Sequence, residues 1–117
     1  MDIRGKRIAV IGGAGFIGSH LVEQLLETDV DGVTVLDNLC RGKWDNLAAV
    51  RDDPRLQLVE GDLADREALQ ATVTGCAGVF HLAAAWLKEC LELPRLAVES
   101  NINGTFNVLE ACRDAGV

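Results

Sequence analysis

The sequence has 117 residues, a formal net charge of −7 and 49% apolar residues, a size and composition that suit one folded domain and exclude a disordered chain. No stretch is long and apolar enough to cross a membrane, so a membrane partner is not expected. Lys and Arg number 7 against 9 Asp and Glu in residues 1–58, and 4 against 9 in residues 59–117, which leaves no basic face for nucleic acid.

The first residues, Met1 to Arg7, carry neither the apolar core nor the cleavage site of a secretory signal. Ile8-Ala9-Val10-Ile11 then reads as one buried strand. A glycine turn follows, and it opens into a helix pattern with Phe16, Ile17, Leu21, Val22, Leu25 and Leu26 on one face. The glycines fit two registers, Gly13-x-Gly15-x-x-Gly18 and Gly12-x-x-Gly15-x-x-Gly18. Both make the same physical offer. One glycine permits a backbone angle closed to side chains, one lets a pyrophosphate reach the backbone, and Gly18 lets the helix lie close on the strands. The helix start adds unpaired N–H groups and the positive end of its dipole. A tight strand-to-helix turn without a ligand is the plainer alternative, but the flanking strand and helix favour a nucleotide.

Val33 to Leu36 is the second strand, and it ends on Asp37, placed where a carboxylate accepts hydrogen bonds from the hydroxyls of an adenosine ribose. The same charge repels a 2′-phosphate and favours NAD over NADP, although Arg41 and Lys43 close by are able to meet a phosphate. Asn38 to Asn46 is a polar loop holding Trp44, and Leu47 to Val50 a short helical piece. Leu56 to Glu60 is the third strand. Gly61-Asp62-Leu63 follows, where an adenine rests against Leu63 and bonds to Asp62. Asp65 caps a helix through Ala68, Leu69 and Val73. Val79 to Ala84 is the fourth strand, and its small Ala83 and Ala84 admit a flat ring or a pyrophosphate. His81 reads as a packed strand residue and His20 as a solvated one. Trp86 to Leu93 is a loop or loose helical turn. Pro94 opens the last helix, which runs to Ala115 with Leu96, Ile102, Phe106, Leu109 and Cys112 inward, and Gly116 closes it. Cys40, Cys76, Cys90 and Cys112 fall in no CxxC spacing and have no histidine beside them, so they read as free thiols in a reducing cytoplasm rather than a metal or redox site.

The alternation of strands and helices, with right-handed crossovers, predicts an α/β fold: a Rossmann-type, doubly wound parallel sheet in the order 3-2-1-4.

Five segments together resemble the extended short-chain dehydrogenase/reductase family, the NAD-dependent sugar epimerases and dehydratases. They are GGAGFIGSHL at 12–21, VLDNL at 35–39, EGDLAD at 60–65, VFHLAA at 79–84 and NINGTFNVLEA at 101–111. The strand end Leu36-Asp37-Asn38-Leu39 looks like that of nucleotide-sugar 4-epimerases. The resemblance implies that Gly12, Gly15, Phe16, Ile17 and Gly18 cradle the pyrophosphate of NAD. It implies that Asp37 and Asn38 hold the adenosine ribose, and that Asp62 and Leu63 meet adenine. Leu82, Ala83 and Ala84 would line the path to the nicotinamide ribose. Asn101 would sit near the nicotinamide end and order the active-site helix, and Trp86 lies in a segment that varies and can face substrate.

The chain departs from the family in one respect that matters. The family's chemistry uses a Tyr-x-x-x-Lys pair, and this sequence has no tyrosine. The expectation is an NAD-binding domain over residues 1–117, the N-terminal portion of a longer enzyme, with no catalytic residues and no activity alone. Nucleotide sugar would be a partner only of the whole enzyme, and self-association is expected through an exposed fourth-strand edge. The alternative is a freestanding NAD-binding sensor or regulatory module; a scaffold without a ligand would make the glycine motif and Asp37 coincidental.

Overall fold

The structure is a computed structural model and describes residues 2–117. Its strands are β1 (Arg7–Ile11), β2 (Gly32–Asp37), β3 (Leu56–Glu60) and β4 (Gly78–His81). They form one sheet in the order β3-β2-β1-β4, and all three pairings are parallel. Ile8 pairs with Val33 on one side and Gly78 on the other, while Val33 pairs onward with Leu56. The expected fold class and strand order are those observed.

The apolar strands are explained by cover on both sides. Ile8 to Ile11 and Val33 to Leu36 are buried throughout, as inner strands of a parallel sheet are when helices cover both faces. Alternate residues feed two cores. Ile8, Val10, Val33 and Val35 pack with Val22, Leu25 and Leu26 of α1 (Phe16–Leu26). Ile11 and Leu36 pack instead with Leu69 and Val73 of α2 (Arg66–Val73) and with Val108 and Ala111 of the last helix. The Asp65 carboxylate caps α2 as expected, accepting from the Ala68 N–H at 2.9 Å.

Four expectations need correction. First, Phe16 and Ile17 do not share the buried face of Val22, Leu25 and Leu26: they are 81% and 69% exposed. The buried stripe of α1 is Gly18, Ser19, Val22, Leu25 and Leu26. At 3.6 residues per turn, Phe16 lies roughly a third of a turn around the helix from Val22. Second, β4 ends at His81 rather than Ala84. The carbonyl of Ile11, the last residue of β1, accepts from both Leu82 N (2.8 Å) and Ala83 N (3.1 Å), and the ladder has no further acceptor. Third, residues 44–47 rather than 47–50 form the short helical turn.

The fourth correction concerns the last helix. It comprises α4 (Pro94–Leu96), a π-helical segment (Ala97–Gly104) and α5 (Thr105–Ala115), preceded by the separate short α3 (Leu87–Glu92). Ile102, Phe106 and Leu109 point outward, each about 60% exposed, and the buried face is Gly104, Val108 and Ala111, with Cys112 and Ala115 beside it. The helix lies so close on the chain that a Cβ at Gly104 would come within 2.8 Å of the Leu63 side chain. Only the stripe of small residues fits there. Gly116 caps α5 with φ +73°, as expected.

Candidate nucleotide-binding cleft

The carboxyl ends of the strands open onto one cavity of about 720 Å³. In open α/β sheets this is where ligands bind. The wall includes Gly12, Gly15, Phe16, Ile17 and Gly18 from the turn after β1, Asp37 and Asn38 after β2, Asp62 and Leu63 after β3, and Leu82, Ala83 and Ala84 after β4. Sequence reasoning named all twelve. It also named Asn101, which does not line the cavity.

The turn after β1 shows why its residues must be small. Gly12 has φ +84°, and a Cβ there would sit 2.6 Å from the Ala83 nitrogen, so the turn and the chain leaving β4 are in backbone contact. A Cβ at Gly18 would strike the backbone of Gly12 and Gly13. Gly15 differs: the nearest atom to its Cβ would be the Gly12 carbonyl oxygen at 3.4 Å, an ordinary contact, and the residue faces the cavity. Gly13 faces inward against Val35 and is not on the wall, so the cavity takes the Gly12, Gly15, Gly18 register. Gly15 is the N-cap of α1, with no side chain bonded to the helix start and no acid in its first turn. The first N–H groups of a helix lack intrahelical partners, and here no side chain takes them up. Phe16 and Ile17 are exposed because they stand at this helix start on the cavity wall.

Asp37 ties the second strand to this turn. It is only 8% exposed. Its Oδ2 accepts from the Ala14 N–H at 2.9 Å and its Oδ1 from the Leu39 N–H at 2.9 Å. Each oxygen keeps a further acceptor site. Asn38 donates through Nδ2 to Asp62 Oδ2 at 2.8 Å, which joins the ends of β2 and β3. Asp62 Oδ1 accepts from the Ala64 N–H. The loop after β2 is also fastened to the glycine turn, because the Ala14 carbonyl accepts from Lys43 N at 3.1 Å and Asn46 Nδ2 at 2.8 Å.

Asn101 works from behind. Its Oδ1 accepts from the Ala85 N–H at 2.7 Å and its Nδ2 donates to the Ala85 carbonyl at 3.0 Å. It therefore pins the chain leaving β4 to the π-helical segment. The Thr105 hydroxyl donates to the Asn101 carbonyl at 2.8 Å and lies 3.1 Å from His81 Nε2. His81 Nδ1 is buried without a partner among the described residues, and burial lowers the imidazole pKa from its usual value. All four cysteines are free, and burial raises the thiol pKa of Cys76 and Cys112. Among the described residues no cluster of His, Cys, Asp and Glu could hold a metal, and no helix is long and apolar enough to cross a membrane.

Several wall residues were not named from sequence as contacts: Gly42, Asn46, Glu89, Glu99 and Ser100 among them, while Arg41 was named only as a cation able to meet a phosphate. Gly42 and Asn46 carry no motif of their own and are brought in by the bonds of Lys43 N and Asn46 Nδ2 to the Ala14 carbonyl. Glu89, Glu99 and Ser100 arrive only because α3 and the π-helical segment fold over the cavity mouth. Chemically, the cleft offers unpartnered N–H groups for an anion, buried carboxylate oxygens for hydroxyls, and small apolar residues for flat rings.

The family model for the NAD dependent epimerase/dehydratase family matches residues 8–117. A dTDP-glucose 4,6-dehydratase of Mycobacterium tuberculosis is 40% identical over 114 residues, which are 95% of this chain and 34% of that protein. A crystal structure of the dTDP-glucose 4,6-dehydratase of Streptomyces venezuelae, with NAD bound, superimposes with a TM-score of 0.89 at 41% identity, covering 95% of this chain and 37% of that one. A crystal structure of the Thermus thermophilus UDP-glucose 4-epimerase in complex with NAD gives a TM-score of 0.80 at 41% identity, covering 95% and 35%. The chain thus spans about a third of the length of these relatives.

Proposed function

The chain belongs to the NAD dependent epimerase/dehydratase family, and from that premise we propose that it is the NAD-binding portion of an enzyme that epimerises or dehydrates a nucleotide sugar. The observation that carries this reading is the buried Asp37 carboxylate beside an uncapped helix start, both on the wall of one cavity. A carboxylate suits ribose hydroxyls and opposes a 2′-phosphate, and backbone N–H groups suit a pyrophosphate.

The residues on the wall divide accordingly. The backbone at Gly12, Gly15, Phe16, Ile17 and Gly18 binds the pyrophosphate. Asp37 and Asn38 hold the adenosine ribose. Asp62 and Leu63 border the adenine, and Leu82, Ala83 and Ala84 lead toward the nicotinamide ribose. Asn101 is a positioning residue that acts through Ala85. Residues 1–117 act as one dinucleotide-binding domain. NAD, when bound, supplies a hydride acceptor for a substrate carbon. The chain has no tyrosine and hence no Tyr-x-x-x-Lys pair, so the 117 residues bind cofactor and perform no hydride transfer alone. Nucleotide sugar is the partner of the whole enzyme.

The test is calorimetric titration of NAD and NADP into this chain and into Asp37→Ala. Hydrogen bonds to a charged group are each worth about 1.5–3 kcal/mol, so Asp37→Ala should weaken NAD roughly tenfold or more. Circular dichroism establishes that the variant remains folded. Absence of NAD binding by the unaltered chain refutes the reading, and so does an Asp37→Ala affinity equal to the original.

A further inference from the structure

One contact on this cleft has no part in the assignment above. The Arg41 guanidinium carbon lies 4.5 Å from the centroid of the Trp86 ring. Arg41 follows β2 and Trp86 follows β4. In the sheet β1 lies between those strands, so a contact between their exit loops passes over the exit of β1, where the glycine turn sits. Arg41 lines the same cavity as Gly12, Gly15 and Gly18, and among the described residues it is the one Lys or Arg on that wall, which also carries Asp37, Asp62, Glu89 and Glu99. Among the described residues it makes no ion pair, and the Trp86 ring is the partner that holds it.

The backbone at Arg41 is firmly placed. Leu39 has φ +57°, an unusual angle for a leucine, which turns the chain sharply after Asn38. A Cβ at the next residue, Gly42, would fall 2.9 Å from Ala14 and 3.0 Å from Asp37 Oδ1. Arg41 therefore emerges immediately beside the carboxylate that faces the ribose. A free arginine at that position is the usual way such a site accepts a ribose 2′-phosphate. Here the side chain is drawn across the cleft to an aromatic face instead.

We propose that Trp86 is a specificity-determining residue. By holding Arg41 over its ring, it keeps this cation above the phosphate cradle and away from the ribose 2′-position, and so adds to the preference for NAD over NADP that Asp37 sets. This rests on the dinucleotide reading of the cleft. Loss of Trp86 frees Arg41 to meet a 2′-phosphate beside Asp37.

The experiment uses the full chain in two arms. The first needs no cofactor. In a Trp44→Phe background Trp86 is the sole tryptophan, and Arg41→Ala should shift its emission. The second measures NAD and NADP dissociation constants by calorimetry for the original chain, Trp86→Ala, Trp86→Phe, Arg41→Ala and the double variant Arg41→Ala/Trp86→Ala. A cation–π contact at a partly exposed site is worth about 0.5–1 kcal/mol, or roughly two- to fivefold in an equilibrium constant. Trp86→Ala should therefore narrow NAD-over-NADP discrimination by about that factor, through tighter NADP binding. Trp86→Phe should keep most of the discrimination, and the double variant should lose the NADP gain. An unchanged ratio in Trp86→Ala overturns the inference, as does an NADP gain that persists without Arg41. Unaltered Trp86 emission on removing Arg41 also overturns it, and does so independently of any cofactor. If the emission responds but no variant binds either dinucleotide, the cofactor reading has failed and the specificity role falls with it.

Discussion

The three glycines that the turn after β1 places on the cavity wall, Gly12, Gly15 and Gly18, should fail in different ways when given a methyl group. Gly15→Ala adds a Cβ that meets only the Gly12 carbonyl oxygen at 3.4 Å, and Gly15 has φ −77°, an angle open to alanine. Reduced freedom of the unfolded chain favours alanine by about 0.4–1 kcal/mol, and its poorer performance as an N-cap takes a few tenths back. Stability should therefore stay within about 0.5 kcal/mol of the original. The methyl group occupies the surface proposed for the pyrophosphate, so NAD binding should be lost. Gly18→Ala drives its Cβ into the backbone of Gly12 and to 2.7 Å from Gly13 Cα. Backbone cannot rotate aside as a side chain can, and overpacking of this kind costs about 1–3 kcal/mol. For a domain of this size that is a fall in Tm of roughly 4–12 °C. Gly12→Ala adds about 1–2 kcal/mol for its left-handed angle and should be the worst of the three. Thermal unfolding followed by circular dichroism, together with NAD calorimetry, separates the cases. A Gly15→Ala protein that unfolds as early as Gly18→Ala, or that binds NAD as well as the original, refutes this reasoning.

Other outcomes follow from the same structure. Asn101→Ala removes two hydrogen bonds to Ala85 and should cost about 1–3 kcal/mol, with faster amide exchange confined to residues 82–86; exchange unchanged there counts against a positioning role. Burial lowers the His81 pKa below its unfolded value near 6.5, so the unfolded chain binds the proton more readily. The contribution is fully present above pH 6.5 and is lost as pH falls toward the folded pKa; urea midpoints at pH 7.5 and 5.5 should differ less in His81→Gln than in the original. The outward apolar stripe of Ile102, Phe106 and Leu109, together with β4 paired on one side only among the described residues, should drive self-association. Light scattering at micromolar concentration should show species larger than a monomer that Leu109→Glu reduces, and a strictly monomeric original chain refutes this.

The fold was legible because the first three strands announce themselves twice, by apolar run and by what ends it, whereas the apolar run of β4 continues past its end at His81. Ile8–Ile11 stops at glycine, Val33–Leu36 at Asp37, and Leu56–Val59 at Glu60 and Gly61. Much of the cleft was legible for the same reason, since its wall is built where strands end. The residues that escaped sequence reading have no fixed relation to a strand end. Glu99 and Ser100 reach the wall through the π-helical segment, whose wider turn no spacing rule anticipates. Arg41 was visible as a cation near Asp37, but its partner lies 45 positions along the chain in a loop after a different strand.

Helix phase was the harder problem, and α5 shows why. Gly104, Val108 and Ala111 recur at helical spacing, and so do Ile102, Phe106 and Leu109. Hydrophobicity alone favours burying the larger set. Close approach decides otherwise, because a Cβ at Gly104 already meets Leu63 at 2.8 Å, and a larger residue there would lift the helix from the sheet. The same demand acts at the other end of the site, where Gly12 and Gly18 let the turn, the chain leaving β4 and α1 touch backbone to backbone. Small residues thus fix both the cradle and the seating of α5. The large ones are turned outward as a consequence: Phe16 and Ile17 onto the cavity wall, and Ile102, Phe106 and Leu109 onto a free face.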